Sequence, residues 1–322
     1  MKKIFLMFAL CLFMTTTANA AIMLNYADNQ SEEYPTVEAA QKFAQLVKAK
    51  TQGRVEIIVQ PGAKLANEEI VLKQLDFGTI DITRISVPYF ANTFPEFKVL
   101  QMPYIFDDDK HMRKVLDGAI GERFLKLTEK KNVVALCWFD AGVRNFYTIK
   151  KPIKTLNDFK QLKLRVQPSD ITVAMAKILG FTPAPLAYGE VYEALASGEI
   201  EGAENNFSSY VSVMHNKIAK YVTLTEHMRQ PELVVISKSA LNKLSPVDQK
   251  AVREAAREAA KYESKIWANF ENNARTEAIK TGTKIIEMNP SELSKLKAAL
   301  RSMEKNYTPE QRKIIEEIRN TK

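Results

Sequence analysis

The chain holds two cysteines, two tryptophans and three histidines in 322 residues, and those scarcities exclude much. Only Cys137 lies beyond the first twenty residues, so the body of the chain has no internal disulfide framework. It sits in "VVALCWF", an apolar strand-like run, and is expected in the core. His111, His215 and His227 make no H-x-x-x-H pattern, and there is no C-x-x-C, which removes the common zinc patterns. The nucleophile elbow, the phosphate-binding P-loop and the dinucleotide fingerprint are all missing. Gly198 and Gly202 read as turn glycines, and "HMRK" around His111 reads as an exposed helix face. Paired carboxylates occur, as on any charged surface, and carry little weight. The expectation is a binding protein and not an enzyme, with no metal and no cofactor.

Two other absences concern charge and hydropathy. No apolar run after residue 20 is long enough to cross a bilayer. The formal net charge of +8 is spread over helical faces without a dense basic block, so nucleic acid is not an expected partner. An acidic small molecule suits the basic surplus better. The first twenty residues read as a signal peptide: a basic "MKK", an apolar "IFLMFALCLFM" and a small-residue "TTTANA". Cleavage is expected after Ala20 in the Ala18-Asn19-Ala20 pattern, giving an exported chain of 302 residues at +6. Cys11 follows Leu10, where a lipid-attachment site wants a small residue, so no acyl anchor is expected there.

What is present is alternation. "AIMLNYAD", "RVEIIVQPG" and "TIDITRIS" read as strands. Between them, "YPTVEAAQKFAQLVKAKTQG" carries Val37, Ala40, Phe43/Ala44 and Val47 at helical spacing, and "NEEIVLKQLDFG" opens on Asn67 with acids in its first turn. This βαβαβ order argues for a parallel sheet flanked by helices. The rhythm returns in the helix "SDITVAMAKILG", the extended "FTPAPLA" and the helix "YGEVYEALASG"; "EIEGAEN" leads into a turn, and "FSSYVSVMHNKIAKY" follows as one helix. "ELVVIS" (232–237) is an apolar strand. From Ser245 as cap and Pro246 at the first helical position, nothing breaks the pattern before Gly282. That helix of about 36 residues would be roughly 54 Å long, enough to run along two lobes as a shared spine.

Two arginines interrupt strand-like runs. Arg144 lies in "GVRNFYTI", and Arg165 lies in "QLKLRVQP", with Gln167 two residues further on. Each could make a structural salt bridge. Alternatively, both could sit at strand ends over a cleft, where ligands of open α/β sheets gather, and hold a carboxylate by paired hydrogen bonds.

Residues 142–206, "GVRNFYTIKKPIKTLNDFKQLKLRVQPSDITVAMAKILGFTPAPLAYGEVYEALASGEIEGAENN", resemble the core signature of the solute-binding proteins of TRAP (tripartite ATP-independent periplasmic) transporters. Weaker likeness extends through "LKQLDFGTIDIT", "FPEFKVLQMPYIFDDDKHM" and "SKSALNKLSPVDQKAV"; Glu201 departs from the usual Asp. The resemblance implies a two-lobed α/β periplasmic binding protein with the long helix spanning both lobes. It implies hinge closure on an organic acid, with Arg165 and Arg144 on its carboxylate and Asn205 and Tyr188 lining the pocket. It also implies a monomer in the periplasm that serves one small and one large membrane subunit. The lobes are expected as 21–142 plus about 231–271, and 143–230 plus about 272–322.

Arg84 and Ser86 end a strand that faces the cleft in the family. Asn29, Glu33 and Tyr34 follow the first strand, and Asn206 and Tyr210 flank Asn205. Such groups suit a hydroxyl-reading pocket, although Asn29 could simply form a turn and Tyr210 could be helix packing. "AENN-x-x-S-Y" and "AKY-x-x-LTEH" are similar to the uronate-binding subgroup. A hexuronate (glucuronate or galacturonate type) is the leading ligand. A C4-dicarboxylate or another hydroxy acid is the alternative, as is a receptor role for a sensor kinase.

Overall fold

The computed structural model describes residues 20–321; the expected signal peptide and Cys11 lie outside the described residues. Eleven strands are described: β1 (Ile22–Ala27), β2 (Val55–Gln60), β3 (Ile82–Ser86), β4 (Val133–Phe139), β5 (Val143–Thr148), β6 (Lys163–Val166), β7 (Thr182–Pro185), β8 (Gly202–Asn205), β9 (Tyr221–Arg229), β10 (Glu232–Ser237) and β11 (Lys284–Glu287). They form two sheets, ordered β2-β1-β3-β10-β4 and β11-β9-β5-β8-β6-β7. β1 runs parallel to β2 and β3, while β10 lies antiparallel between β3 and β4. The chain passes between the sheets after Phe139 and again after Arg229.

Three of the expected helices form where the pattern placed them, and the run "YGEVYEALASG" shortens to a helix over Val191–Ala196. α1 (Pro35–Lys50) buries Val37, Ala40, Phe43 and Val47. α2 (Glu68–Phe77) starts on an Asn67 side chain that accepts from the Ile70 amide, and ends at left-handed Gly78. α3 (Asp170–Leu179) is capped by Ser169 and ends at left-handed Gly180. The run from Phe207 breaks into α4 (Phe207–Ser212) and a single turn from His215, because Met214 takes a left-handed φ of 59°. "EIEGAEN" reads only as a lead into a turn, yet its second half is the fully buried strand β8. Gly202 opens that strand, where a Cβ would lie 2.2 Å from the Tyr147 carbonyl oxygen.

α5 (Pro246–Lys280) is the expected spine, 35 residues long, capped by Ser245. Ala251, Ala255, Ala256, Ala259 and Ala260 are buried, and these small side chains let it pack closely on α1 and β4 of the first lobe. Its second half packs on α4 of the second lobe. At the crossing, Glu263 is buried and accepts the Asp140 amide at 3.1 Å. The tail divides between the lobes. α6 (Pro290–Arg301) packs on α3, while α7 (Pro309–Arg319) returns to the first-lobe segment Pro95–Gln101. This changes two expectations: 272–322 is not wholly second lobe, and His111 is not exposed, its Nε2 lying 2.9 Å from the Ile318 carbonyl. One apolar core sits beneath α1 and α5, with Tyr26, Phe43 and Ile236. A larger one continues from Phe90 and Phe97 to Phe146 and Met175 and takes in Leu300 and Ile318.

Candidate functional site

On β6, Leu164 and Val166 are fully buried and turn Arg165 to the opposite face. Arg165 is itself only 2% exposed. Its Nε and Nη2 donate to the Leu186 carbonyl at 3.0 and 2.9 Å, which fixes the plane of the guanidinium. Nη1 takes no part in those bonds. The side chain is therefore a stiff, pre-oriented cation on the wall of a cavity between the two sheets.

Arg144, on β5, has a different occupation. It forks onto Glu204 of β8, with Nε on Oε2 and Nη2 on Oε1 at 2.9 Å, and it also holds the Glu204 carbonyl at 2.7 Å. Burial alone would raise the Glu204 carboxyl, but the Arg144 charge and the neighbouring His227 carry it down to about 2. Nη1 of Arg144 donates to Asn205 Oδ1 at 2.9 Å and so orients that amide. Of the two readings open for Arg144, the structural salt bridge is present, while the residue also lines the cavity.

The first-lobe wall is acidic. Arg84, on β3, is 1% exposed and meets Asp28 at 2.7 Å, Glu68 at 3.0 Å and Glu232 at 2.9 Å, so one cation faces three carboxylates. Its Nη2 also reaches Asn29 Oδ1. Ser86 Oγ donates within the same group, 2.8 Å from Glu68 and 2.9 Å from Glu232. Burial pushes the Glu232 carboxyl up, Arg84 pulls it back, and Glu68 and Asp28 push it up again, to about 7.

The cavity brings together Arg165, Arg144, Asn205, Arg84, Tyr188, Ser86, Asn29, Gln167 and Asn206. It does not include Glu33, which is exposed. Nor does it include Tyr210, whose hydroxyl donates to the Ala219 carbonyl at 2.5 Å and whose ring packs on Tyr147. Asn206 caps α4 by accepting the Ser209 amide at 2.6 Å. Gln30, Glu68, Ser209, Gln230 and Glu232 also line the space, and no motif in the chain marks them. Glu68 reads as an ordinary first-turn acid. Glu232 had one signal, a charge heading the apolar "ELVVIS", and it pairs with Ser86 across β3 and β10.

Two features describe what the cavity can take. Gln167 Oε1, Gln230 Oε1 and the Tyr188 hydroxyl are buried there without a hydrogen-bond partner. Such atoms cost about 1–3 kcal/mol each unless something polar meets them. The space left is about 20 Å³, and Tyr34 crosses between the lobes to Ser209 at 2.9 Å, so this conformation is closed. A wider groove of about 310 Å³ beside Leu72, Tyr89, Phe94 and Pro168 carries Glu69, Lys73, Asp76 and Lys131 on its lining but none of the buried unpartnered polar atoms.

Residues 26–311 match the family model for bacterial extracellular solute-binding proteins, family 7. A protein of Chromohalobacter salexigens described as a solute-binding protein is 37% identical over 255 residues, covering 79% of this chain and 76% of its own. A TRAP periplasmic solute-binding protein from the same organism, solved with bound D-glucuronate, superposes with a TM-score of 0.90 at 33% identity, covering 93% of this chain and 100% of its own. One from Xanthobacter autotrophicus Py2, with bound β-D-galacturonate, gives 0.88 at 35% identity, covering 92% and 98%.

Proposed function

The chain belongs to the bacterial extracellular solute-binding proteins, family 7, and on that footing we propose that it is the periplasmic component of a TRAP transporter that captures a hexuronate such as glucuronate or galacturonate. The observation that carries the ligand class is the cavity itself. A pre-oriented arginine stands on one wall, and unpartnered buried amide and phenol groups stand around it. The similar structures with bound galacturonate and glucuronate support the same reading.

In this mechanism the lobes part at the two strand crossings and the acid enters. Its carboxylate meets Arg165, with Arg144 and Asn205 as a fixed edge beside it. Ring hydroxyls satisfy the amide oxygens of Gln167 and Gln230. Closure then expels water, which strengthens the charge pairing inside. The ligand shifts the open–closed equilibrium only by its better affinity for the closed form. The membrane subunits read the closed shape and receive the acid. Export with cleavage after Ala20 completes the reading, and mass spectrometry of the periplasmic protein should find Ala21 first.

The test is a thermal-shift screen of hexuronates against succinate and other C4-dicarboxylates. A ligand at 100 times its dissociation constant should add about 2.7 kcal/mol of stability. A shift with hexuronates and none with dicarboxylates is the expected result; the reverse pattern overturns the proposal.

A further inference from the structure

The two walls of the cavity differ in charge. On the second-lobe wall, Arg165 and Arg144 outnumber Glu204 by one positive charge. On the first-lobe side, Glu68 and Glu232 line the cavity and Asp28 lies outside the lining on Arg84, so the three acids outnumber Arg84 by two negative charges when all are ionised. The acids come from different elements: Asp28 follows β1, Glu68 opens α2 and Glu232 opens β10. Ser86, at the end of β3, bonds to both Glu68 and Glu232. Arg84 is already shared among three carboxylates, so it is not a second clamp for an incoming acid. Gln230, 1% exposed beside Glu232, keeps an unpartnered Oε1 on the same cavity. Acceptor oxygens thus crowd this wall, and an acceptor wall wants donors: sugar hydroxyls supply them and a carboxylate does not.

We infer that Glu68 and Glu232 are specificity determinants that accept hydroxyl hydrogens from the end of the ligand far from Arg165 and exclude any ligand ionised at both ends. The inference rests on the uronate reading and adds a direction to it: carboxylate towards the second lobe, neutral hydroxylated end towards the first. A hexuronate meets this pattern. An aldarate, the same carbon chain with a carboxylate at each end, sets its second charge against Glu68 and Glu232.

The test is calorimetric titration of the full mature protein with D-galacturonate, D-glucuronate, galactarate and D-glucarate at pH 8. The wild type should bind each hexuronate at least tenfold more tightly than the matching aldarate. Glu68→Gln and Glu232→Gln should each weaken hexuronate binding yet tighten aldarate binding threefold or more, a crossover that general damage to the fold cannot produce. If both variants fail to fold, the wild type carries the test. Glu232 faces Arg84, Glu68, Asp28 and Ser86, and lowering the pH from 8 to 6 protonates it, so the hexuronate-to-aldarate ratio should fall. A wild-type ratio below ten, folded variants that leave aldarate binding no tighter, or (where neither folds) a pH-independent ratio overturns the inference. No binding heat with either hexuronate overturns the uronate reading as well, which separates the two failures.

Discussion

Arg165→Lys tests the clamp because the structure fixes what lysine cannot do. Arg165 spends Nε and Nη2 on the Leu186 carbonyl, at 3.0 and 2.9 Å, and still presents a third nitrogen. Lysine has one nitrogen on a flexible stem, so it must either hold Leu186 or reach the ligand. A hydrogen bond to a charged group is worth roughly 1.5–3 kcal/mol, which converts to about 10- to 140-fold in affinity. Titration calorimetry with a hexuronate reads that loss directly. The variant keeps the positive charge and the buried stem, so its melting temperature should stay near that of the wild type. A folded Arg165→Lys protein whose dissociation constant lies within threefold of the wild-type value would refute the reasoning.

Arg144→Ala should act first on stability, since it strands buried Glu204 without its partner; a cost of about 3–5 kcal/mol is expected in urea unfolding. Unchanged stability with affinity alone lost would contradict that assignment. A cavity of about 20 Å³ in the closed form admits no sugar acid, so the free protein must populate an open form for entry; saturating ligand, by shifting that population towards closure, should lower the radius of gyration measured by X-ray scattering. A scattering curve that does not change under clear calorimetric binding would argue for a rigid site. His215 is held neutral, since burial and then the Arg165 charge push it down to about 3, while the unfolded chain protonates it near 6.5. That depressed value means stability is lost as pH falls from about 6.5 towards 3. The wild type should therefore lose its melting-temperature advantage over His215→Asn between pH 7 and 5, and a constant gap would exclude the effect.

Much of this architecture was legible because periodicity and caps report local physics. The stripe from Val37 to Val47, the Asn67 and Ser245 caps and the unbroken run to Lys280 each specify a helix by themselves. β8 was not legible: its signature is a glycine and a glutamate, and Glu204 is tolerated in a buried strand only because Arg144, 60 residues earlier, neutralises it. The family resemblance placed Arg84 at the cleft, but its role was not legible, because its three acidic partners come from distant parts of the chain. Glu33 and Tyr210 looked equivalent to their neighbours in sequence; solvent exposure of one and a carbonyl partner for the other separate them in space. Glu68 and Glu232 carry no motif, and only the packing of α2 and β10 around Ser86 brings them to the cavity.

The most direct measurement of the whole account is a crystal structure of the mature protein with galacturonate. The carboxylate should lie against Arg165, beside Arg144 and Asn205, with the hydroxyls at the far end of the ring donating to Glu68 and Glu232. A sugar carboxylate found against Arg84, or a ligand bound in the groove beside Leu72 and Phe94, would contradict it.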